Sequence, residues 1–258
     1  MSDHRPTGVL LLVDDGEAMS DRRERTVRAL FEHPLIDVTW SRYEPGERGP
    51  DPHVHHEHVD AFYVVEGELV FGLGAELREV RAPAGTFVLV PVDVIHTFGN
   101  ESGAPARWLN FHAPSTGFIA NLRGGGGFDS HDPPADGGRS SAEAVVVAAG
   151  AGESIPRPTR ELAIIADTPQ LSALELVVDP GFTVDPHTHA DEVDSFFVVE
   201  GEIEFTVGVR AITAGAGTWV SAPPGARHGF RNASGARARL LNVHAPETGF
   251  VDRVRHPR

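Results

Sequence analysis

Histidine and aspartate residues recur in this chain at spacings that could hold a metal ion. His53 and His55 are two positions apart, and Asp60 follows five positions after the second histidine. Alternate residues of a β-strand point to the same face, so both imidazoles can be directed to one side. His96 lies farther along and would come from a separate strand. Imidazole and carboxylate ligands together suit first-row divalent metals.

Two segments of the chain are repeated. Residues 52–67 (PHVHHEHVDAFYVVEG) match residues 186–201 (PHTHADEVDSFFVVEG), and residues 85–100 match residues 217–232. The first pair is offset by 134 residues and the second by 132, so a change in length lies between the two segments, where a hairpin turn can absorb it. The repeat supplies a second set of candidate metal ligands: His187, His189, Asp194 and His228.

Each set predicts one divalent transition metal, and its chemistry follows from the ligand number. A metal that prefers six ligands keeps two positions open beside four protein ligands. Those positions could take a bidentate substrate, or one substrate oxygen beside O2. The metal could then act as a Lewis acid on a bound water or enolate, or join substrate and oxygen in a redox step. Fe, Mn, Ni and Zn all remain open as the metal.

The pattern between the candidate ligands is that of an all-β protein. Short runs rich in aromatic and β-branched residues, such as 61–65 and 85–90, are bounded by Gly, Pro and Asp. Turn signals recur about every ten residues, as in sandwiches and barrels. One helix is expected near residues 20–33, where Ser20 and Asp21 could cap it.

The repeat also predicts the domain organisation. Residues 124–141 (GGGGFDSHDPPADGGRSS) are rich in Gly, Pro and Asp, which indicates an exposed linker. We therefore predict an N-terminal barrel over residues 1–123, a linker over 124–143 and a C-terminal barrel over 144–258.

Several other histidines allow two interpretations. His112 and His244 follow Asn110 and Asn242 by two positions, so each could share a strand face with its asparagine. They could line the pocket as hydrogen-bond donors or proton carriers, or simply end a strand. His56 and His58 lack counterparts in the repeat and are expected to face solvent. The large aromatic residues are expected in the core, with some of them on the cavity wall: Phe62, Phe98, Phe196, Phe197, Trp108 and Trp219.

Composition narrows the class of protein. The chain has no cysteine, so disulfides and thiolate metal sites are excluded. Lys and Arg number 22 against 37 Asp and Glu, and the formal net charge of −15 disfavours nucleic acid and anionic membranes as partners. The apolar run 9–13 is too short for a signal-peptide core or a membrane span. We expect a cytoplasmic protein that acts on a small molecule, and a homodimer stays open.

At the candidate metal ligands and the residues around them, the sequence resembles the cupin superfamily. The motifs of that superfamily are G-x5-H-x-H-x(3,4)-E-x6-G and G-x5-P-x-G-x2-H-x3-N. The second copy matches both motifs at the expected spacing, with Asp194 in the glutamate position. The first copy departs in three ways: one extra residue before the histidines, Asp60 in place of glutamate, and Asp93 in place of the second-motif glycine. The resemblance implies two tandem double-stranded β-helix (jelly-roll) barrels with a metal pocket in each.

An aspartate in the glutamate position leaves the coordination open. The backbone could approach the metal more closely, the carboxylate could bind through water, or the site could keep only three histidines. Glu192 is a possible replacement ligand in the second half, but its counterpart is His58. We prefer Asp60 and Asp194.

Double-barrel cupins of this kind resemble quercetin 2,3-dioxygenase-like proteins, which cleave flavonols with oxygen. The resemblance implies a dioxygenase acting on a small enolisable or aromatic substrate. Asp60 and Asp194 would then be catalytic, accepting the substrate's hydroxyl proton. Two other classes stay open: a non-oxidative metal-dependent isomerase, cyclase or decarboxylase, and a ligand-binding cupin without catalysis.

Overall fold

The computed structural model describes residues 8–256, which form antiparallel sheets with little helix. The contacts divide these residues into two compact units. We call residues 16–151 the N-terminal unit, and residues 8–15 with 152–256 the C-terminal unit. The first strand of the chain, β1 (Val9–Leu12), belongs to the C-terminal unit.

The N-terminal unit contains ten strands and one short helix. Their bounds are β2 (Glu17–Asp21), β3 (Arg25–His33), β4 (Ile36–Tyr43), β5 (Val59–Glu66), β6 (Glu68–Leu73), β7 (Arg78–Pro83), β8 (Phe87–Val90), β9 (His96–Gly99), β10 (Ala106–Ala113), α1 (Phe118–Leu122) and β11 (Val145–Val147). Seven strands form one sheet in the order β11-β8-β5-β10-β4-β3-β2, and three form a second sheet in the order β7-β6-β9.

The C-terminal unit repeats this arrangement. Its further elements are β12 (Glu153–Arg157), β13 (Arg160–Asp167), β14 (Ser172–Val178), β15 (Thr183–His187), β16 (Val193–Glu200), β17 (Glu202–Val207), β18 (Arg210–Gly215), β19 (Thr218–Ala222), β20 (His228–Arg231), β21 (Ala238–Ala245) and α2 (Phe250–Arg255). The large sheet has the order β1-β19-β16-β21-β14-β13-β12, and the small one the order β15-β20-β17-β18. The all-β prediction is confirmed.

Aromatic side chains fill the interior of each unit. In the N-terminal unit Phe62 and Trp108 are almost fully buried, and Phe71 packs edge-on against Phe62 with ring centroids 4.9 Å apart. Phe196 and Phe230 pack in the same way in the C-terminal unit, at 5.3 Å. The predicted core role is confirmed for Phe62, Trp108, Phe196, Phe197 and Trp219, and the partly buried Phe98 packs against this core.

The prediction of a helix near residues 20–33 is wrong. β2 ends at Asp21, and β3 begins at Arg25. Val27, Ala29 and Phe31 are buried at every second position, and Leu30 is buried too, where the register with β4 shifts. That period of two matches a strand with one face in the core, and it outweighs the capping signal.

Two further comparisons concern loops and boundaries. The turn between β6 and β7 has four residues, 74–77, whereas that between β17 and β18 has two, 208–209, so the difference in length lies in a hairpin as predicted. The division into units differs from the predicted boundaries, because β1 pairs with β19 and β11 pairs with β8. Each of these strands thus joins the unit opposite to the one its sequence position indicates.

Within residues 8–256, no helix has the length and apolar character needed to cross a membrane.

Candidate metal centres

The four candidate ligands of the C-terminal unit lie together. His187 ends β15 opposite His228 at the start of β20, and Asp194 extends from β16. Their ligand atoms and that of His189 all lie within 4.8 Å of one another. His187 Nε2 is 3.2 Å from His189 Nε2, and His228 Nε2 is 3.0 Å from Asp194 Oδ2. Ligand atoms about 2.1 Å from one first-row metal lie about 3.0–3.4 Å apart, so the spacing fits a single ion.

Hydrogen bonds fix the orientation of these imidazoles. Nδ1 of His187 donates to the carbonyl of Asp185 at 2.9 Å, and Nδ1 of His228 donates to that of Ala226 at 2.9 Å. Because Nδ1 carries the proton, the lone pair of each Nε2 is left for a metal.

The N-terminal unit brings together the matching residues. The ligand atoms of His53, His55 and His96 lie within 4.8 Å of one another. Asp60 Oδ2 is 3.4 Å from His96 Nε2 and 3.8 Å from His55 Nε2. Nε2 of His55 and Nε2 of His96 are buried without a hydrogen-bond partner among the described residues. A metal ion would satisfy both atoms, so these residues fit the group that the sequence predicts.

The N-terminal imidazoles are oriented in the same way. Nδ1 of His53 donates to the carbonyl of Asp51 at 2.9 Å, and Nδ1 of His96 donates to that of Val94 at 3.1 Å. Nδ1 of His55 donates to the carbonyl of Asp129 at 2.5 Å. Two of these acceptors precede their histidine by two residues, whereas the third comes from the linker.

Both aspartates are held as carboxylates. Asn110 donates to Asp60 Oδ1 at 2.5 Å, and Asn242 donates to Asp194 Oδ1 at 2.6 Å. Burial opposes ionisation, but the surrounding histidines hold the pKa of Asp60 and of Asp194 well below its usual range. The second oxygen of each carboxylate faces the imidazoles, where a metal ligand is needed.

The histidines differ between the two units. Burial lowers the pKa of His53 to about 4, so this ring is neutral and ready to bind a metal. Hydrogen bonds to Asp194 and then to Glu192 raise the pKa of His189 to about 9. A metal entering the C-terminal site must therefore displace a proton from His189.

His112 and His244 lie beside the metal ligands. In the register of β10 with β5, His112 is opposite Asp60, and His244 takes the same place opposite Asp194 in β21 and β16. His112 Nε2 is 3.6 Å from Asp60 Oδ1. Each ring packs on the first residue of the following helix, Phe118 or Phe250. His112 lines the cavity of the N-terminal unit, as one of the two interpretations expected, and His244 has the corresponding place beside Asp194.

The expectation that His58 faces solvent is wrong, although His56 is exposed as expected. His58 has no exposed surface, and its Nδ1 donates to Asp129 Oδ2 at 2.9 Å. Asp129 itself is only 7% exposed, so the linker is not exposed throughout. Sequence reasoning missed this pair because Asp129 lies outside the repeat. The signal that could have found it is the exchange of Glu192 for His58 between the two copies.

A cavity of about 370 Å³ is lined by three of the N-terminal candidate ligands, His53, His55 and Asp60. Aromatic side chains form much of its wall: Tyr43, Phe98, Trp108, Phe118 and Phe128. Arg25 also lines it. The Arg25 guanidinium lies 4.4 Å from the centre of the Tyr43 ring, and its Nε donates to Glu47 at 2.7 Å. The cavity therefore combines a largely aromatic wall with a guanidinium that is paired with Glu47.

Comparison with solved structures shows the same fold elsewhere. Oxalate decarboxylase from Lactobacillus farciminis, in a formate complex, is 14% identical, with 93% of this chain and 86% of that chain covered and a TM-score of 0.65. The Ylba protein from E. coli is 11% identical, with coverage of 95% and 93% and a TM-score of 0.70. AerE from Microcystis aeruginosa is 12% identical, with coverage of 89% and 96% and a TM-score of 0.64. At these identities the likeness concerns the fold alone.

Comparison with protein families is more specific. No curated protein matches the chain. The family model for the cupin domain matches residues 39–112 and again residues 174–244. Each match contains one complete set of candidate ligands, and together they cover more than half of the chain. The chain belongs to the cupin domain family and carries two cupin domains.

Proposed function

We propose that this bicupin is a metal-dependent enzyme that decarboxylates a small carboxylic acid in its N-terminal cavity. The observation that carries this proposal is the position of Arg25, which lines the same cavity as His53, His55 and Asp60. A guanidinium presents paired N–H donors that match a carboxylate. Nε donates to Glu47, Nη2 donates to the backbone carbonyl of Arg48, and the Tyr43 ring lies below, so the guanidinium is ordered before the substrate arrives and Nη1 is the nitrogen offered to a carboxylate.

The metal would be held by His53, His55, Asp60 and His96. When bound, it supplies Lewis acidity toward a carboxylate or enolate oxygen of the substrate. Arg25 binds the substrate carboxylate and orients it. A cavity of about 370 Å³ is at the small end of ligand pockets, which favours a small acid.

The remaining lining residues exclude water and handle a proton. Phe98 and Trp108 form an apolar wall that strengthens charge interactions inside the cavity. Loss of CO2 leaves the electron pair of the broken C–C bond on the substrate, so a proton must reach that carbon. Because Asp60 is held as a carboxylate, the proton must come from a water molecule, and we propose that Asp60, with His112 opposite, orients that water. Asp194 has the corresponding place in the second unit.

Solved structures add support for this reaction class. Several of those that cover more than nine tenths of this chain are oxalate decarboxylases. Their substrate, as their name states, is a small carboxylate. Both the charge of Arg25 and the size of the cavity agree with a substrate of that kind.

Dioxygenase chemistry is the second candidate, and the aromatic wall favours it. Phe98, Trp108, Phe118 and Phe128 would pack against an aromatic or enolisable substrate. In that reaction Asp60 would accept the substrate's hydroxyl proton. The identity of the metal, among Fe, Mn, Ni and Zn, separates the two candidates only in part, so oxygen consumption must be measured.

The experiment is a screen of small dicarboxylic acids against their monoamides, which keep one carboxylate to lose, with the purified, metal-loaded protein. CO2 release without O2 uptake supports decarboxylation, whereas uptake of O2 with an enolisable substrate supports the dioxygenase. Arg25→Gln should raise KM for a dicarboxylic acid at least 10-fold and leave that for its monoamide unchanged. Arg28→Gln, three residues along the same strand, is the matched control.

Equal turnover of dicarboxylic acids and their monoamides, or equal effects of the two arginine substitutions, would contradict the role of Arg25. We also propose a cytoplasmic location and a homodimer. Size-exclusion chromatography with light scattering tests the dimer directly.

A further inference from the structure

Part of the linker is bound to the N-terminal site at both of its ends. We call residues 124–131 the strap. At its start, N–H of Gly124 donates to the carbonyl of Asn121, and N–H of Gly125 donates to that of Ala120, each at 2.9 Å. At its end, His131 and Val54 exchange two backbone hydrogen bonds of 3.0 Å. Val54 lies between the metal ligands His53 and His55, so the strap joins the ligand-bearing loop.

Asp129 makes the central contacts of the strap. Its carboxylate accepts hydrogen bonds from the N–H of Glu57 at 2.7 Å and of His56 at 3.0 Å. It also binds Nδ1 of His58 at 2.9 Å and Nε2 of His131 at 2.8 Å. Its carbonyl oxygen accepts the hydrogen bond from Nδ1 of His55. One linker residue therefore connects a metal ligand to the loop that follows it.

The second unit has an acidic residue of its own at the position that His58 occupies in the first. Glu192 has the repeat position of His58, and it accepts hydrogen bonds from Nδ1 of His189 at 2.8 Å and from Nδ1 of His244 at 3.2 Å. An acidic residue thus lies behind the second histidine ligand in both units. Glu192 binds His189 through its carboxylate, whereas Asp129 binds His55 through its backbone carbonyl and uses its carboxylate to hold His58 and the loop that follows His55. In the C-terminal unit this acidic residue belongs to the cupin motif, whereas in the N-terminal unit it belongs to the linker, which folds back onto the site.

Phe128 extends the strap into the cavity. Its ring centroid is 5.4 Å from that of His55 and 5.1 Å from that of Phe118. Phe128 and Ser130 both line the cavity with the metal ligands. The wall on this side is therefore linker, not barrel.

We propose that the strap is a working part of the N-terminal site, with Asp129 as a positioning residue for His55 and Phe128 as a wall of the substrate cavity. This inference rests on the proposed function of that site. Groups that hold the second nitrogen of a histidine ligand fix its ring and tune its basicity. Because coupling is reciprocal, metal binding in turn must hold the strap in place.

The test uses the full-length protein with the C-terminal site removed by His187→Ala/His189→Ala, so that Co2+ reports one site through its visible absorption. Asp129→Ala removes the carboxylate that fixes the strap to the loop after His55 and so holds the carbonyl acceptor of His55 in place; it should weaken Co2+ binding about 10- to 100-fold. Asp132→Ala, an exposed aspartate of the same linker, should leave it unchanged. Asp129→Asn keeps the shape and shows a smaller loss, and it serves the same comparison if the alanine variant does not fold.

The reciprocal measurement is chymotrypsin cleavage after Phe128. Co2+ should slow that cleavage at least 10-fold in the parent and much less in Asp129→Ala. Unchanged Co2+ affinity in both Asp129 variants, together with cleavage that Co2+ does not slow, would overturn the inference and leave the proposed function standing. A parent that binds no Co2+ would overturn the proposed function, and the inference with it.

Discussion

Acid should destabilise the metal-free N-terminal unit more than the C-terminal unit. Burial, and then the nearby His55, lower the pKa of His58 from 6.5 to about 4, and burial lowers that of His112 from 6.5 to about 3. Both rings stay neutral in the folded unit, while the unfolded chain takes up protons near pH 6.5. Their contribution to stability is therefore present above pH 6.5 and is lost as the pH falls toward 4.

The magnitude follows from proton linkage. Each proton that only the unfolded chain binds costs about 1.4 kcal/mol of unfolding free energy per pH unit. For two buried histidines that interact, the loss between pH 6.5 and 5 is about 2–4 kcal/mol. His189 makes stability depend on pH in the opposite direction. Its pKa is raised to about 9, so its contribution to the unfolding free energy is complete below pH 6.5 and is lost as the pH rises through 9.

The assay is urea unfolding of the EDTA-treated protein at pH 7, 6 and 5, followed by tryptophan fluorescence. Trp219→Phe leaves Trp40 and Trp108, which report the N-terminal unit. Trp40→Phe/Trp108→Phe leaves Trp219, which reports the C-terminal unit. Equal pH dependence of the two units, or an N-terminal unit that gains stability at pH 5, would refute the reasoning.

Two backbone predictions concern residues with positive φ. Asp93 has φ of 63°, and the second unit has Gly225 at the corresponding position. Asp93→Gly should therefore raise the unfolding free energy, measured with urea, by about 0.5–1 kcal/mol. A lower unfolding free energy would show that the hydrogen bond between His56 and Asp93 outweighs the backbone strain. A Cβ on Gly67, which has φ of 73°, would lie 2.3 Å from the carbonyl oxygen of Pro105, whereas one on Gly46 would meet no atom within 4 Å. Gly67→Ala should therefore lower the thermal midpoint well beyond Gly46→Ala, and equal midpoints would contradict this steric argument.

The repeated pattern made both candidate sites predictable from the sequence. His53 and His55 alternate along an extended segment, and the same spacing returns at His187 and His189, so a shared face followed from backbone geometry. The hairpin that absorbs the two-residue difference was predictable for the same reason. Local rules apply here because each of these features depends on neighbouring residues.

Features that depend on distant pairing could not be predicted in this way. The His58–Asp129 contact joins residues 71 positions apart, and the Asp129 side of it has no copy in the repeat. The pairing of β1 with β19 spans most of the chain, and the sequence of a short apolar strand does not indicate which strand it pairs with. The helix predicted from the possible capping residues Ser20 and Asp21 was wrong for a related reason: burial of side chains of β3 against distant strands stabilises the extended conformation.

The most direct test of the account is metal content. Elemental analysis of the purified, tag-free protein should be run on the wild type, His53→Ala/His55→Ala and His187→Ala/His189→Ala in parallel. We predict two divalent metal ions per wild-type chain and the loss of one ion in each variant. A wild-type chain that refuses added metal, or variants that retain both ions, would contradict the central claim that each cupin domain holds one metal on its three histidines and one aspartate.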